Sequence, residues 1–145
     1  MVAVDLGAYI GSCRVVDMNG EGEPALVPAA ALTPGLLAGA ERILFRTRSS
    51  HDHSVFDSGF TAVGTAAARR LVEAGVRLVG IDSPSMDHAT ATDLQAHRVL
   101  CAGGVAILEN LDLSRVSPGD YQLAALPLKI IGSDSSPVRA VLWRD

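Results

Sequence analysis

The sequence predicts a single α/β domain: a mixed β-sheet of about six strands with two to three helices. Three observations carry this. Short apolar runs recur at Arg42–Thr47, Val76–Ile81 and Val105–Leu108, and the last two have almost no polar face, as in strands covered on both sides. Stretches of helical period lie between them, Phe60–Ala74 and Asp93–Ala102. A later apolar run, Tyr121–Ile131, contains Pro127. Proline lacks a ladder donor, so that strand must lie at an edge or be bulged there.

Taken in order, Tyr9–Met18 reads as the first strand, with Asn19-Gly20 as its turn. Leu26–Ala40 is apolar but interrupted by prolines and glycines, which leaves room for one short helix near Thr33–Gly39. Thr33 is its expected N-cap, with Pro34 at the first helical position. After the strand Arg42–Thr47, the polar stretch Arg48–Ser58 is a loop. In Phe60–Ala74, Phe60, Val63, Ala67, Leu71 and Ala74 recur every three or four residues and form one face. Gly75 is the expected left-handed terminator. Thr92-Asp93-Leu94-Gln95 has the pattern of a capping box for the next helix. That helix should end at Gly103-Gly104, with Leu94, His97 and Cys101 on its inward face. Pro118-Gly119 is a turn, and Pro137–Trp143 a last strand.

A chain of 145 residues is long enough for one real core. Its 48% hydrophobic and 19% charged residues are those of a soluble globular protein rather than a disordered one. The net charge of −4, with no basic run, argues against nucleic acid as a partner. Cys13 and Cys101 stand far apart, and suggest neither a disulfide framework nor a cysteine metal site. The N-terminus has no signal-peptide pattern and no apolar run spans a membrane, so the expected setting is cytoplasmic, with no membrane partner.

The chemistry-bearing stretch is Leu78–Leu113. A histidine, His97, and a carboxylate at the end of an apolar strand, Glu109, are brought towards each other by adjacent elements. A histidine on an inward helical face is in general a satisfied core residue. A strand-end glutamate asks for a cation, a donor network or a metal, because an unpaired buried carboxylate is costly. Imidazole and carboxylate are ordinary ligands of zinc or manganese, but two residues fall short of a metal site. Residue types alone leave the core and metal readings both open.

Two other groups compete with that pair. His51 and His53 flank Asp52 and could face one target in an extended loop, but the polar, serine-flanked setting favours plain solvation. Asp82, Ser83, Ser85 and Asp87 follow the strand Val76–Ile81 around Pro84. Turn chemistry accounts for all of them. A binding role stays open mainly for Asp82, since open α/β sheets place ligands at the carboxyl ends of strands. No nucleophile elbow and no phosphate-binding glycine loop occurs.

The segments GIDSPSMD, the AH of His97 with its glutamate twelve residues later in ILENLDL, and YQLAALPLKIIGSDSSPVRAVL together resemble the cyclase, or metal-dependent hydrolase, family. Within it the resemblance is to the bacterial kynurenine formamidases (arylformamidases). YIGSCRVVDM and ERILFRTR are similar to that family's early core strands, so the likeness covers nearly the whole chain. It implies a swivelling β/β/α fold and hydrolysis of linear amides with metal-activated water. In the formamidase branch N-formylkynurenine gives kynurenine and formate, a step of tryptophan catabolism. It also implies zinc, often two ions, held by an N-terminal His-x-Gly-Thr-His-x-Asp-x-Pro-x-His motif and by a later histidine and glutamate. His97 and Glu109 match the later pair; Asp82 would at most lie near the substrate or behind the ligands.

The histidine motif itself is absent from these 145 residues. The expectation is therefore an N-terminally truncated member, with no residue here assigned a catalytic role and with the chain inactive by itself. Zinc or manganese is expected from the resemblance, or no metal because most ligands are missing. The alternatives are a non-catalytic binding or assembly module, or a subunit whose site another chain completes. A homo-oligomer, a dimer as in the family, is the expected assembly, and a small-molecule substrate the expected partner if the site is active.

Overall fold

A computed structural model describes residues 4–47 and 54–144 of the chain. The sheet has six strands in the order β4-β3-β2-β1-β5-β6. They are β1 Ile10–Asp17, β2 Arg42–Arg46, β3 Leu78–Ile81, β4 Ala106–Leu108, β5 Gly119–Ala124 and β6 Val141–Trp143. The first four pair in parallel, while β5 runs antiparallel to β1 and β6 antiparallel to β5. The helices are α1 Pro34–Leu37, α2 Gly64–Glu73 and α3 Gln95–Ala102. The mixed sheet of about six strands with three helices agrees with the expectation from sequence.

Side chains alternate across each strand, so the two faces of the sheet form two cores. Ile43, Phe45, Val79 and Ile81 pack with Ala67, Leu71, Ala96 and Leu100 of the helices. On the other face Val15, Leu44, Leu78, Leu108 and Leu123 meet Leu111, Leu113 and Ala125 from the loops. Gly80 faces this second core. A Cβ there would lie 2.5 Å from Leu44 Cδ2 and 2.8 Å from Leu111 Cδ1, so only glycine lets these leucines close over the strand.

The local signals hold where a segment satisfies its own backbone. Thr33 Oγ1 accepts the Leu36 amide at 3.2 Å and starts α1. Gly75, at φ 74°, ends the turn after α2, with Val76 N donating to Leu71 O at 3.1 Å.

Long-range bonds override the local signals elsewhere. Residues 60–63 were expected in a helix beginning at Phe60, yet α2 begins at Gly64. Ala62 is claimed by a parallel bridge to Leu26: its amide donates to Ala25 O at 3.0 Å and its carbonyl accepts from Val27 N at 2.8 Å. β5 ends at Ala124, short of Pro127, and the chain from 125 to 140 crosses without a strand, so no ladder bond is asked of the proline.

The expected capping box of α3 does not form. The helix starts at Gln95 after Leu94 in left-handed backbone (φ 48°), and Leu94 supplies no side-chain cap. Gln95 Nε2 donates instead to Asp93 Oδ2 at 2.6 Å. The helix is also turned from the expected register: Ala96 and Leu100 are its buried residues, while Leu94 and Cys101 are exposed.

Candidate metal centre

The parallel strands β3 and β4 end side by side, and the loops leaving them are bonded together. Asn110 N donates to Ser83 O at 3.0 Å and Leu111 N to Ile81 O at 3.1 Å. Glu109 follows β4, and Asp82 begins the loop after β3. Met86, buried in that loop, gives its carbonyl to the amides of Val63 and Gly64, both at 3.0 Å, which ties the loop to the start of α2. Residues far apart in sequence are thus held at one corner of the sheet.

His97 and Glu109 meet at this corner. His97 Nε2 lies 3.0 Å from Glu109 Oε1, with side chains 26% and 28% exposed. They can be reached from solvent, but neither waves freely. Glu109 Oε1 also accepts the Met86 amide at 2.7 Å. Behind the histidine, Nδ1 lies 2.7 Å from Asp87 Oδ2. The same oxygen accepts the His97 amide at 3.0 Å, and Asp87 Oδ1 accepts the Ala96 amide at 2.8 Å. Asp87, only 4% exposed, is therefore the cap that α3 lacks locally. Burial pushes its carboxyl pKa up, but the hydrogen bond from His97 and the two helix amides outweigh that and hold it below the ordinary value. Asp87 is accordingly an ionised acceptor at neutral pH.

Asp82 is placed differently. Its carboxylate is buried, and accepts the Thr47 amide at 3.0 Å on each oxygen and the Thr47 hydroxyl at 2.6 Å on Oδ1. It ties the ends of β2 and β3 together, apart from the His97–Glu109 pair. His51, Asp52 and His53 lie outside the described residues. By sequence Asp87 is a turn residue near Pro84. That is also true of its backbone, whose amide donates to Ser85 Oγ at 3.2 Å. The available signal was a carboxylate ten residues before a histidine, in a loop that also buries a methionine.

The pair opens on a cleft of about 490 Å³ lined by Tyr9, His97, Cys101, Glu109, Pro127 and Ser135 among others. That is the size of an ordinary small-molecule site. Burial, and to a lesser extent Cys101, raises the Tyr9 phenol, so it faces the cleft as a neutral hydroxyl.

The donors suit a divalent metal in kind: an imidazole nitrogen, a carboxylate oxygen, and a second carboxylate behind the imidazole, as metal-bound histidines usually have. In number they fall short. Among the described residues no group of three or more His, Cys, Asp or Glu is placed to hold one ion.

No family model matches the chain. Individual proteins do. The kynurenine formamidase of Sphingopyxis alaskensis is 42% identical over 139 residues, covering 95% of this chain and 65% of that protein. The kynurenine formamidase of Delftia acidovorans is 41% identical over 139 residues, covering 96% and 65%. A predicted metal-dependent hydrolase from Bacillus stearothermophilus superposes with a TM-score of 0.81 at 29% identity, covering 96% of this chain and 66% of that structure. The chain therefore spans about 65% of the length of the curated relatives it matches. It is a homologue of the curated kynurenine formamidases, built on the fold of the metal-dependent hydrolases.

Proposed function

We propose that this chain carries part of the metal centre of a formamidase-like amide hydrolase, with His97 Nε2 and Glu109 Oε1 as two of its ligands. The observation that carries the reading is the 3.0 Å approach of these two atoms at the mouth of a cleft. Homology to the kynurenine formamidases supports the reaction class, in which an N-formyl amide and water give an amine and formate. Zinc or manganese suits the donors, and when bound would supply the Lewis acidity that polarises the scissile carbonyl. The chain's own contribution is positional. Met86 N fixes Glu109, Asp87 fixes His97, and the cleft admits a small amide beside them.

A catalytic zinc takes three protein ligands. The proposal therefore needs ligands beyond this pair, from this polypeptide or from another chain. Dialysis against zinc followed by metal analysis tests the pair. The native protein should retain metal that His97→Ala and Glu109→Ala each lose; equal retention in all three would end the reading. The purified 145-residue chain should release little formate from N-formylkynurenine. Brisk turnover abolished by a chelator would show that no further chain is needed.

A homo-oligomer is the second part of the proposal, supported by the outer strand β6. Its Val141 and Trp143 are exposed, as is Ile131 (92%) in the preceding segment. An apolar edge of this kind tends to be covered. Light scattering at high protein concentration should find a dimer or larger species, and a monomer there would count against it.

A further inference from the structure

We infer that Asp87 is the positioning residue of this corner, setting which nitrogen of His97 carries the proton and leaving a bare Nε2 lone pair aimed at the space shared with Glu109.

The argument begins with donors and acceptors. Asp87 receives three N–H groups: Ala96 N on Oδ1 at 2.8 Å, and His97 N at 3.0 Å and His97 Nδ1 at 2.7 Å on Oδ2. An ionised carboxylate can only accept, so the ring must donate from Nδ1. The peptide and the ring of one residue are then held by one oxygen, which fixes the ring's direction as well as its tautomer. In the neutral ring the other nitrogen, Nε2, is an acceptor. It faces Glu109 Oε1, also an acceptor and already engaged with Met86 N at 2.7 Å. Two lone pairs 3.0 Å apart repel unless a proton or a metal cation lies between them. Asp87 thus turns a histidine and a glutamate that could satisfy each other into a pair with an appetite for a cation.

The same residue caps α3, whose own first turn offers no side-chain cap. Folding the helix end and setting the tautomer are therefore one event. Hydrogen bonds behind an imidazole commonly set its metal-binding nitrogen in this way. Only the identification of that cation as a metal rests on the functional reading above.

Nitrogen-15 NMR of the neutral His97 ring in the metal-free native protein tests this directly. Nδ1 should carry the proton and Nε2 should be bare; a ring protonated on Nε2 would overturn the inference without any variant. In Asp87→Ala the proton should move to Nε2, from where it donates to Glu109, while amide spectra report whether the rest of the sheet is intact. An unchanged tautomer in a folded Asp87→Ala protein would reduce Asp87 to a helix cap and likewise overturn the inference. Zinc titration calorimetry separates the two readings. Asp87→Ala should bind zinc about 10–100-fold more weakly than the native chain. Should the native chain take no zinc while the tautomer results hold, the metal reading falls and the positioning role stands. Zinc binding with an Nε2-protonated native ring would do the reverse.

Discussion

Two polar clusters sit at opposite ends of the parallel strands. At the amino end, Arg42 is 2% exposed and fully enclosed. Its Nε donates to Ala8 O at 2.8 Å, Nη1 to Ser12 O at 3.1 Å and to Glu41 Oε2 at 2.8 Å, and Nη2 to Gly7 O. Every direction in which the guanidinium can donate leads to the protein's own backbone or to its neighbour. At the carboxyl end, Asp87 is nearly as deeply enclosed, but it holds His97, which together with Glu109 remains about a quarter exposed. The first cluster is closed and holds the chain together. The second is closed behind and open in front, which is the arrangement a ligand can use. Burial and charge alone do not separate them; what separates them is whether a donor or acceptor is left facing a cleft.

This contrast can be broken most severely at the closed end. Arg42→Met should cost roughly 3 kcal/mol, because three carbonyls lose a buried donor. Urea unfolding would read that loss, and zinc retention per folded molecule should not change. Asp87→Ala should cost about 1–2 kcal/mol, the usual value of a helix cap. Unlike Arg42→Met it should also weaken zinc binding; similar zinc behaviour in the two variants would erase the distinction.

Glu109→Gln sharpens the comparison from the open side. Glutamine still accepts the Met86 amide, so stability should stay within about 0.5 kcal/mol of native. The pair with His97 loses its negative charge, and retained zinc should fall sharply. A large drop in thermal stability would show that Glu109 belongs to the closed kind of cluster after all.

The smallest effect is expected from a surface pair belonging to neither end, Arg14 with Asp120 at 2.7 Å. The hydrogen bond from Arg14 holds the Asp120 carboxyl below its ordinary 3.8, despite slight opposition from burial. A depressed carboxyl stabilises the fold above its unfolded pKa, and the contribution is lost as pH falls through the folded value. Asp120 is mostly exposed, so solvent screening leaves little of this. Asp120→Asn should be slightly less stable than native at neutral pH and indistinguishable from it once Asp120 is protonated. A difference that grows on acidification would contradict the sign.

Sequence by itself determined those features in which a residue answers to its neighbours or to the plain exclusion of water. The apolar runs marked β2, β3 and β4 as strands, and β2 and β3 are buried inside the sheet while β4 forms its edge. Thr33 with Pro34 could start a helix, and Gly75 could end one, because cap and helix are adjacent in the chain. His97 and Glu109 stood out because a polar residue within an apolar element is conspicuous before any fold is known. Arg42, at the head of an apolar run, gave no hint of the four groups waiting for it from residues 7, 8, 12 and 41.

Tertiary structure alone decided what depends on distant backbone. Ala62 left its helical pattern for a bridge to Leu26. The amides at the start of α3 ignored the threonine beside them and took Asp87, and the helix turned so that Ala96 and Leu100, rather than Leu94 and Cys101, entered the core. The reason is the same in each case. A buried N–H must find an acceptor, and which acceptor is nearest is fixed by how the strands and helices stack. The histidine and the glutamate could therefore be picked out residue by residue, but the carboxylate that aims one at the other became visible only once the loop after β3 had folded beneath the helix.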